Sequence, residues 1–93
     1  MSGRRRPRVR LEVVGQLGPK PCHRGHRVGQ AFDVDTQRGR LCPMAEHVAF
    51  PYVDILRYGG AIPGEEPGTC RFCCPDADVA LVFRAQVVEE EDA

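Results

Sequence analysis

Five cysteines stand out in this chain of 93 residues, at Cys22, Cys42 and a Cys70-Arg71-Phe72-Cys73-Cys74 cluster, with His26 four positions after the first. Thiolate and imidazole are the soft donors that zinc takes, four at a time in tetrahedral geometry, and cysteine thiolates also hold iron–sulfur clusters. The donors fall in three separate segments, so a site can form only if the fold draws those segments together. One Cys-x-x-Cys pair is present, Cys70 to Cys73, and Cys22-His-Arg-Gly-His26 is not a standard zinc-finger half. The set therefore points to metal or cluster binding through Cys22, Cys42 and Cys74, with His26 or Cys73 completing it. Cys73 and Cys74 are neighbours, which in a regular strand point to opposite faces, and Cys74 before Pro75 is the first choice as ligand. Cys70 shares the face of Cys74 but lies about 13 Å along an extended strand, too far for one ion, and is expected in the core.

A second chemistry uses the same residues. Cys42 immediately precedes a predicted helix, where free amides and the helix dipole favour a thiolate, so Cys42 or Cys74 could act as a nucleophile with another cysteine resolving the intermediate. Reduced thiols that only pack as small hydrophobes are the plain alternative for any single cysteine. A third class, an accessory subunit or scaffold with a protein partner, fits the small size and the lack of a paired acid and base; Glu46 and Asp54 form no such pair.

Length and composition bound these readings. A chain of 93 residues makes one small domain with a modest core, the size at which metals or cross-links often contribute to stability. Thirteen basic and thirteen acidic side chains cancel, so net charge selects no partner. The arginines at 4, 5, 6, 8 and 10 could grip phosphate, but the rest of the chain is acidic and has no aromatic stacking set, which argues against nucleic acid. No stretch approaches the roughly 18 apolar residues of a membrane span, and no apolar run follows the basic start as in a signal peptide. A cytoplasmic location, reduced thiols and an odd cysteine count go together and disfavour a disulfide framework.

The elements that must position the cysteines follow from periodicity. Arg8 to Val14 alternates Val9, Leu11 and Val13 with charge and reads as a strand. Gly15 to Gly29 is a glycine- and proline-rich loop carrying Cys22 and His26. Ala31 to Asp35 predicts a short second strand. From Pro43 to Tyr58, Met44, Val48, Tyr52, Ile55 and Leu56 recur at helical intervals; Pro43 suits the first turn, Gly59-Gly60 the stop, and Pro51 predicts a kink. His47, one turn into this helix and five residues after Cys42, could approach the same site from the helix but is read first as a satisfied or surface histidine. Gly59-Gly60 follows the helix and so is no phosphate loop. Thr69 to Cys74, a Pro75-Asp76-Ala77-Asp78 turn and the alternation of Leu81, Phe83, Ala85 and Val87 predict a hairpin, with Asp76 either orienting a ligand or bonding its own turn. Phe32, Phe50, Tyr52, Phe72 and Phe83 are assigned to the core. The expected fold is α+β, a small antiparallel sheet with one kinked helix in the order ββαββ, over residues 8–88, between a basic disordered arm (1–7) and an acidic tail (89–93).

Taken together, Cys22-x-x-Gly-His26-x-x-Gly29-x-x-Phe32, Leu41-Cys42-Pro43-x-Ala45, Pro51-Tyr52, Leu56-Arg-Tyr-Gly-Gly60, Cys74-Pro75-Asp76 and Val82-Phe83 resemble a family of small uncharacterised bacterial and archaeal proteins of about ninety residues. The resemblance covers roughly residues 8 to 88. It implies a metal- or redox-linked role for Cys22, Cys42 and Cys74, with His26 and Cys73 matching some members. Cys70, the arginine-rich start and the acidic end depart from the pattern and inherit nothing from it.

Overall fold

The computed structural model describes residues 7–88; the basic arm, save Pro7, and the acidic tail lie outside the described residues. Four strands, β1 (Arg8–Leu17), β2 (Ala31–Asp33), β3 (Thr69–Cys73) and β4 (Ala80–Val88), form one antiparallel sheet in the order β2-β1-β4-β3, and one helix, α1 (Pro43–Arg57), separates the two pairs. This is the α+β, ββαββ arrangement. The chain crosses from the β2 edge to the β3 edge through a short 3-10 turn (Arg38–Arg40) and α1, which covers one face of the sheet.

That face is the one the alternation marks. Val9, Leu11 and Val13 of β1, Leu81, Phe83 and Ala85 of β4, and Cys70 and Phe72 of β3 are all buried. Burying a large side chain of this kind contributes about 1.5–3 kcal/mol, so these residues hold α1 to the sheet. Tyr52 of α1, Phe72 and Phe83 stack in series with 5.3 Å between successive ring centroids. On the opposite face Arg10, Arg71 and Gln86 are exposed.

β1 runs on past Val14 to Leu17 because a bulge absorbs the break in alternation: Val13 pairs with Phe83 and Gly15 with Val82, leaving Val14 as the extra residue. β2 stops at Asp33 rather than Asp35. The Asp33 carboxylate accepts the backbone N–H groups of Asp35 (2.8 Å) and Thr36 (3.1 Å), a turn that ends the strand.

The helix packs through a different stripe from the one hydropathy suggests. Ala45, Ala49, Val53 and Leu56 are buried, whereas Met44 and Phe50 are 51% and 63% exposed and Ile55 stands at the surface. Phe50 is therefore not a core residue. Two alanines at this spacing let the helix axis approach the sheet closely, and the larger side chains at 48 and 52 fill the flank. Pro51 lies inside α1 at an exposed position, where water can reach the carbonyl that its missing N–H leaves free. The stop is a glycine C-cap: Gly59 has φ +85°, and the Gly60 N–H donates to the Ile55 carbonyl at 2.7 Å. Arg57, buried at the last turn, pairs with Asp35 at 2.8 Å and ties the helix end to the β2 turn.

Candidate functional site

One end of the sheet gathers the chain segments that carry the cysteines. Antiparallel pairing sets the end of β1 (Leu17) against the start of β4 (Ala80), and the end of β3 (Cys73) against Val82. The 18–30 loop leaves β1 at this end, the 74–79 turn joins β3 to β4 there, and α1 begins there. A cavity of about 50 Å³ between them is lined by Cys22 and His26 from the loop, Cys42 and Ala45 from the helix start, and Cys74, Leu81 and Phe83 from the hairpin; His23 and Asp76 also line it.

The loop is fixed to the sheet at both ends. Gly29 N–H donates to the Val13 carbonyl (2.8 Å) and Val13 N–H to Gln30 (2.9 Å). Gly18, at φ +101°, brings its backbone so close to the hairpin that a Cβ there would lie 2.6 Å from the Asp78 carbonyl oxygen. Only glycine fits both constraints. Within the loop the Gly25 N–H closes a turn on the Cys22 carbonyl at 2.9 Å.

Cys42 is the N-cap residue of α1, with Pro43 at the first helical position and no side-chain cap hydrogen bond. Its own N–H donates to Nε2 of His26 at 3.1 Å. His26 is 7% exposed and lies edge-on to Phe32 with 5.0 Å between ring centroids. Burial lowers its pKa below the ordinary imidazole value, opposed by a hydrogen bond with Gln30 and assisted by Arg24, so the ring is held neutral and can accept. Its Nε2 is thus engaged in placing Cys42.

Cys74 is half-buried, and its sulfur accepts the Leu81 N–H at 3.2 Å while lying 3.8 Å from the Val79 carbonyl oxygen. Cys73, one residue earlier, is exposed and does not line the cavity. Cys70 is fully buried in the core, and burial, with Glu65 adding to it, pushes its thiol pKa up. All five thiols are free.

The structure therefore brings together Cys22, His26, Cys42 and Cys74 and leaves Cys73 outside. The three sulfurs share the cavity without being drawn tight. Among the described residues the one Cys, His, Asp or Glu trio whose donor atoms all lie within 4.8 Å of one another is His23, Asp76 and Asp78. In that trio His23 Nε2 is 3.3 Å from Asp76 Oδ2, and Lys20 Nζ is 3.9 Å from Asp78 Oδ1. The other Asp76 oxygen accepts the Asp78 N–H (2.9 Å) and the Val79 N–H (3.4 Å), and the first of these bonds chiefly lowers the Asp76 pKa. His47 is exposed on α1, away from this cavity.

His23 is the residue that sequence reasoning passed over. Its signals were adjacency to Cys22 and an aspartate two residues after Cys74, neither of which stands out without the turn geometry. Among the described residues, no helix is long and apolar enough to cross a membrane. Compared with known proteins, the chain matches no family model, no curated protein and no solved structure.

Proposed function

We propose that this is a small metal-binding domain that holds one zinc ion at the sheet end through Cys22, Cys42 and Cys74. The observation that carries this reading is that three cysteines from three separate segments line one cavity, one of them already receiving a backbone N–H on sulfur. Zinc with sulfur ligands at about 2.3 Å needs sulfurs about 3.8 Å apart, so binding would turn the three short side chains inward from the cavity wall. The volume of about 50 Å³ holds a few waters on a scale of ~10–15 Å³ each, and a single ion suits it. Only three cysteines line it, one fewer than the four thiolates an iron–sulfur cluster takes, so zinc is favoured over a cluster.

Three thiolates around a divalent cation leave one negative charge, and Arg24 at the cavity wall offsets it. The ion would tie loop, helix and hairpin together, the contribution a metal makes in a domain with a modest core. Such thiolate sites persist where thiols stay reduced, as in cytoplasm.

Elemental analysis of protein purified without a metal-binding tag tests this, with about one zinc per chain expected. No metal and five titratable thiols would overturn it.

A second reading, thiol chemistry at Cys42, is favoured by one observation: the half-buried Cys42 stands at the N-cap of a 15-residue helix with no side-chain hydrogen bond to the helix amides. Cys42→Ser separates the two. Under metal binding it lowers zinc content and stability together; under thiol chemistry it keeps the fold and abolishes reactivity.

A further inference from the structure

We propose that His23, oriented by Asp76, is the fourth donor of the metal site and that His26 is a positioning residue for Cys42; this rests on the metal-binding reading above. The case begins with what His26 cannot offer. Its Nε2 already accepts the Cys42 N–H at 3.1 Å, and its ring is packed against Phe32. Ligation through Nε2 would break the bond that sets the helix N-cap and leave the Cys42 amide without its partner.

His23 has neither commitment. It borders the same cavity directly after Cys22 in the chain, and its side chain is 78% exposed, so it can swing without disturbing packing. Nε2 lies 3.3 Å from the Asp76 carboxylate. An Nε2–H donated to that carboxylate leaves the lone pair on Nδ1, the nitrogen then able to ligate. A metal-bound histidine typically has its second nitrogen held in this way by a carboxylate, which fixes the tautomer and strengthens the ligand.

Asp76 is built for the task. Pro75 separates it from Cys74, and its other oxygen is held by the N–H groups of Asp78 and Val79. The carboxylate that meets His23 is therefore rigidly placed by the same turn that places Cys74. The pairing couples the first and third cysteine segments before any metal arrives. It also assigns the carboxylate a role other than ligation: Asp78, the third member of the group, faces Lys20.

The resulting set, three thiolates and one imidazole, is a known closed tetrahedral combination for zinc. With no ligand position left over, the ion serves folding, and the exposed imidazole is the donor at which solvent or a competing ligand can enter.

The test uses the full chain and Zn²⁺ alone, with affinity read by competition against a chromophoric chelator, and repeats the titration with Co²⁺ to read the ligand set from its visible spectrum. The variants are His23→Gln, Asp76→Asn and His26→Gln. H23Q should weaken Zn²⁺ binding at least as much as loss of its orienting carboxylate does, by about 10- to 100-fold or more, and change the cobalt d–d bands while the thiolate-to-cobalt absorption stays. D76N should weaken it by about 10- to 100-fold with unchanged cobalt ligand bands, the signature of an orienting carboxylate. H26Q should keep the cobalt spectrum of the parent protein. If H23Q binds as tightly as the parent with the same spectrum, or if H26Q alone alters the bands, the assignment of the fourth donor is wrong while the three-cysteine site stands. If the parent chain binds neither ion, the site itself falls and the fourth donor with it.

Discussion

Replacing His26 by alanine removes an acceptor and a ring in one step, and the structure allows the two losses to be separated. The Cys42 N–H, donated to His26 Nε2 at 3.1 Å, would be left without its partner at a half-buried position. An unsatisfied buried donor costs about 1–3 kcal/mol, and the half-burial of Cys42 places this case at the lower end. The edge-on contact with Phe32, at 5.0 Å, contributes a further 0.5–1.5 kcal/mol or so. H26A should therefore lose about 1.5–2.5 kcal/mol, whereas H26Q, whose side-chain oxygen reaches about the position of Nε2, should lose only the ring contact. Urea unfolding of the protein as purified reads the difference: with a slope of about 2 kcal/mol per molar, the H26A midpoint falls by roughly 1 M and the H26Q midpoint by about half as much. Zinc content measured on the same samples should stay near one per chain in H26Q. The reasoning is refuted if H26Q is as unstable as H26A, since the acceptor would then not be what matters, or if H26Q loses the metal, since His26 would then be a ligand.

Three further outcomes follow from the same geometry. With a thiol reagent in excess, exposed Cys73 should react first and Cys70, fully buried and with its thiol pKa raised, only on unfolding; rapid modification of Cys70 in the folded protein would contradict its place in the core. Gly18→Ala should destabilise by about 1–3 kcal/mol, because φ +101° and a Cβ 2.6 Å from the Asp78 carbonyl both oppose it, and thermal melting that shows no loss would mean the loop does not lie against the hairpin as described. In pH titrations of stability, His26 is held neutral in the fold with a lowered pKa while the unfolded chain protonates near its ordinary 6.5, so the unfolded state binds more protons and stability should fall as pH drops below about 6.5. H26Q should lack this component. Asp33, lowered mainly by its bond with Arg8, and Asp76, lowered by the Asp78 amide, contribute stability present above about pH 4 and lost as pH falls below that.

The sheet was legible in the sequence because period-two alternation is strong wherever one face is buried and the other solvated, as in Val9-Arg10-Leu11-Glu12-Val13. The helix ends were legible because Pro43 and Gly59 act through the backbone itself. The helix face was not. Scoring side chains by hydropathy favours Met44, Tyr52 and Ile55 over Ala45 and Ala49, yet close approach of the helix to the sheet selects small residues, and Phe50 is left at the surface. The separation of Cys73 from Cys74 followed from alternation alone. The histidines were the opposite case: spacing suggested His26 as a donor, but which nitrogen is free depends on the Cys42 amide, a contact across sixteen residues that no local pattern encodes.

The position of the cysteines in the fold gives the metal reading its physical sense. The buried face is sealed along its length by α1 and the Tyr52, Phe72 and Phe83 stack, but at the end where α1 begins the covering passes to the 18–30 loop. That loop contributes His26 to the buried set and otherwise presents mainly exposed residues, so hydrophobic burial alone does little to hold it. Its attachments are backbone bonds near residues 29 and 30, the glycine contact at 18, the His26 acceptor and the pairs of Lys20 with Asp78 and His23 with Asp76. Between these anchors, Cys22 faces Cys42 and Cys74 across a cavity whose walls belong to three different segments. A cross-link among them closes the weakest edge of the core, and it acts where an ordering cost over some dozen residues would otherwise be met by few contacts. A single ion would do this without the redox demands of a disulfide, through the three cysteines that line one cavity.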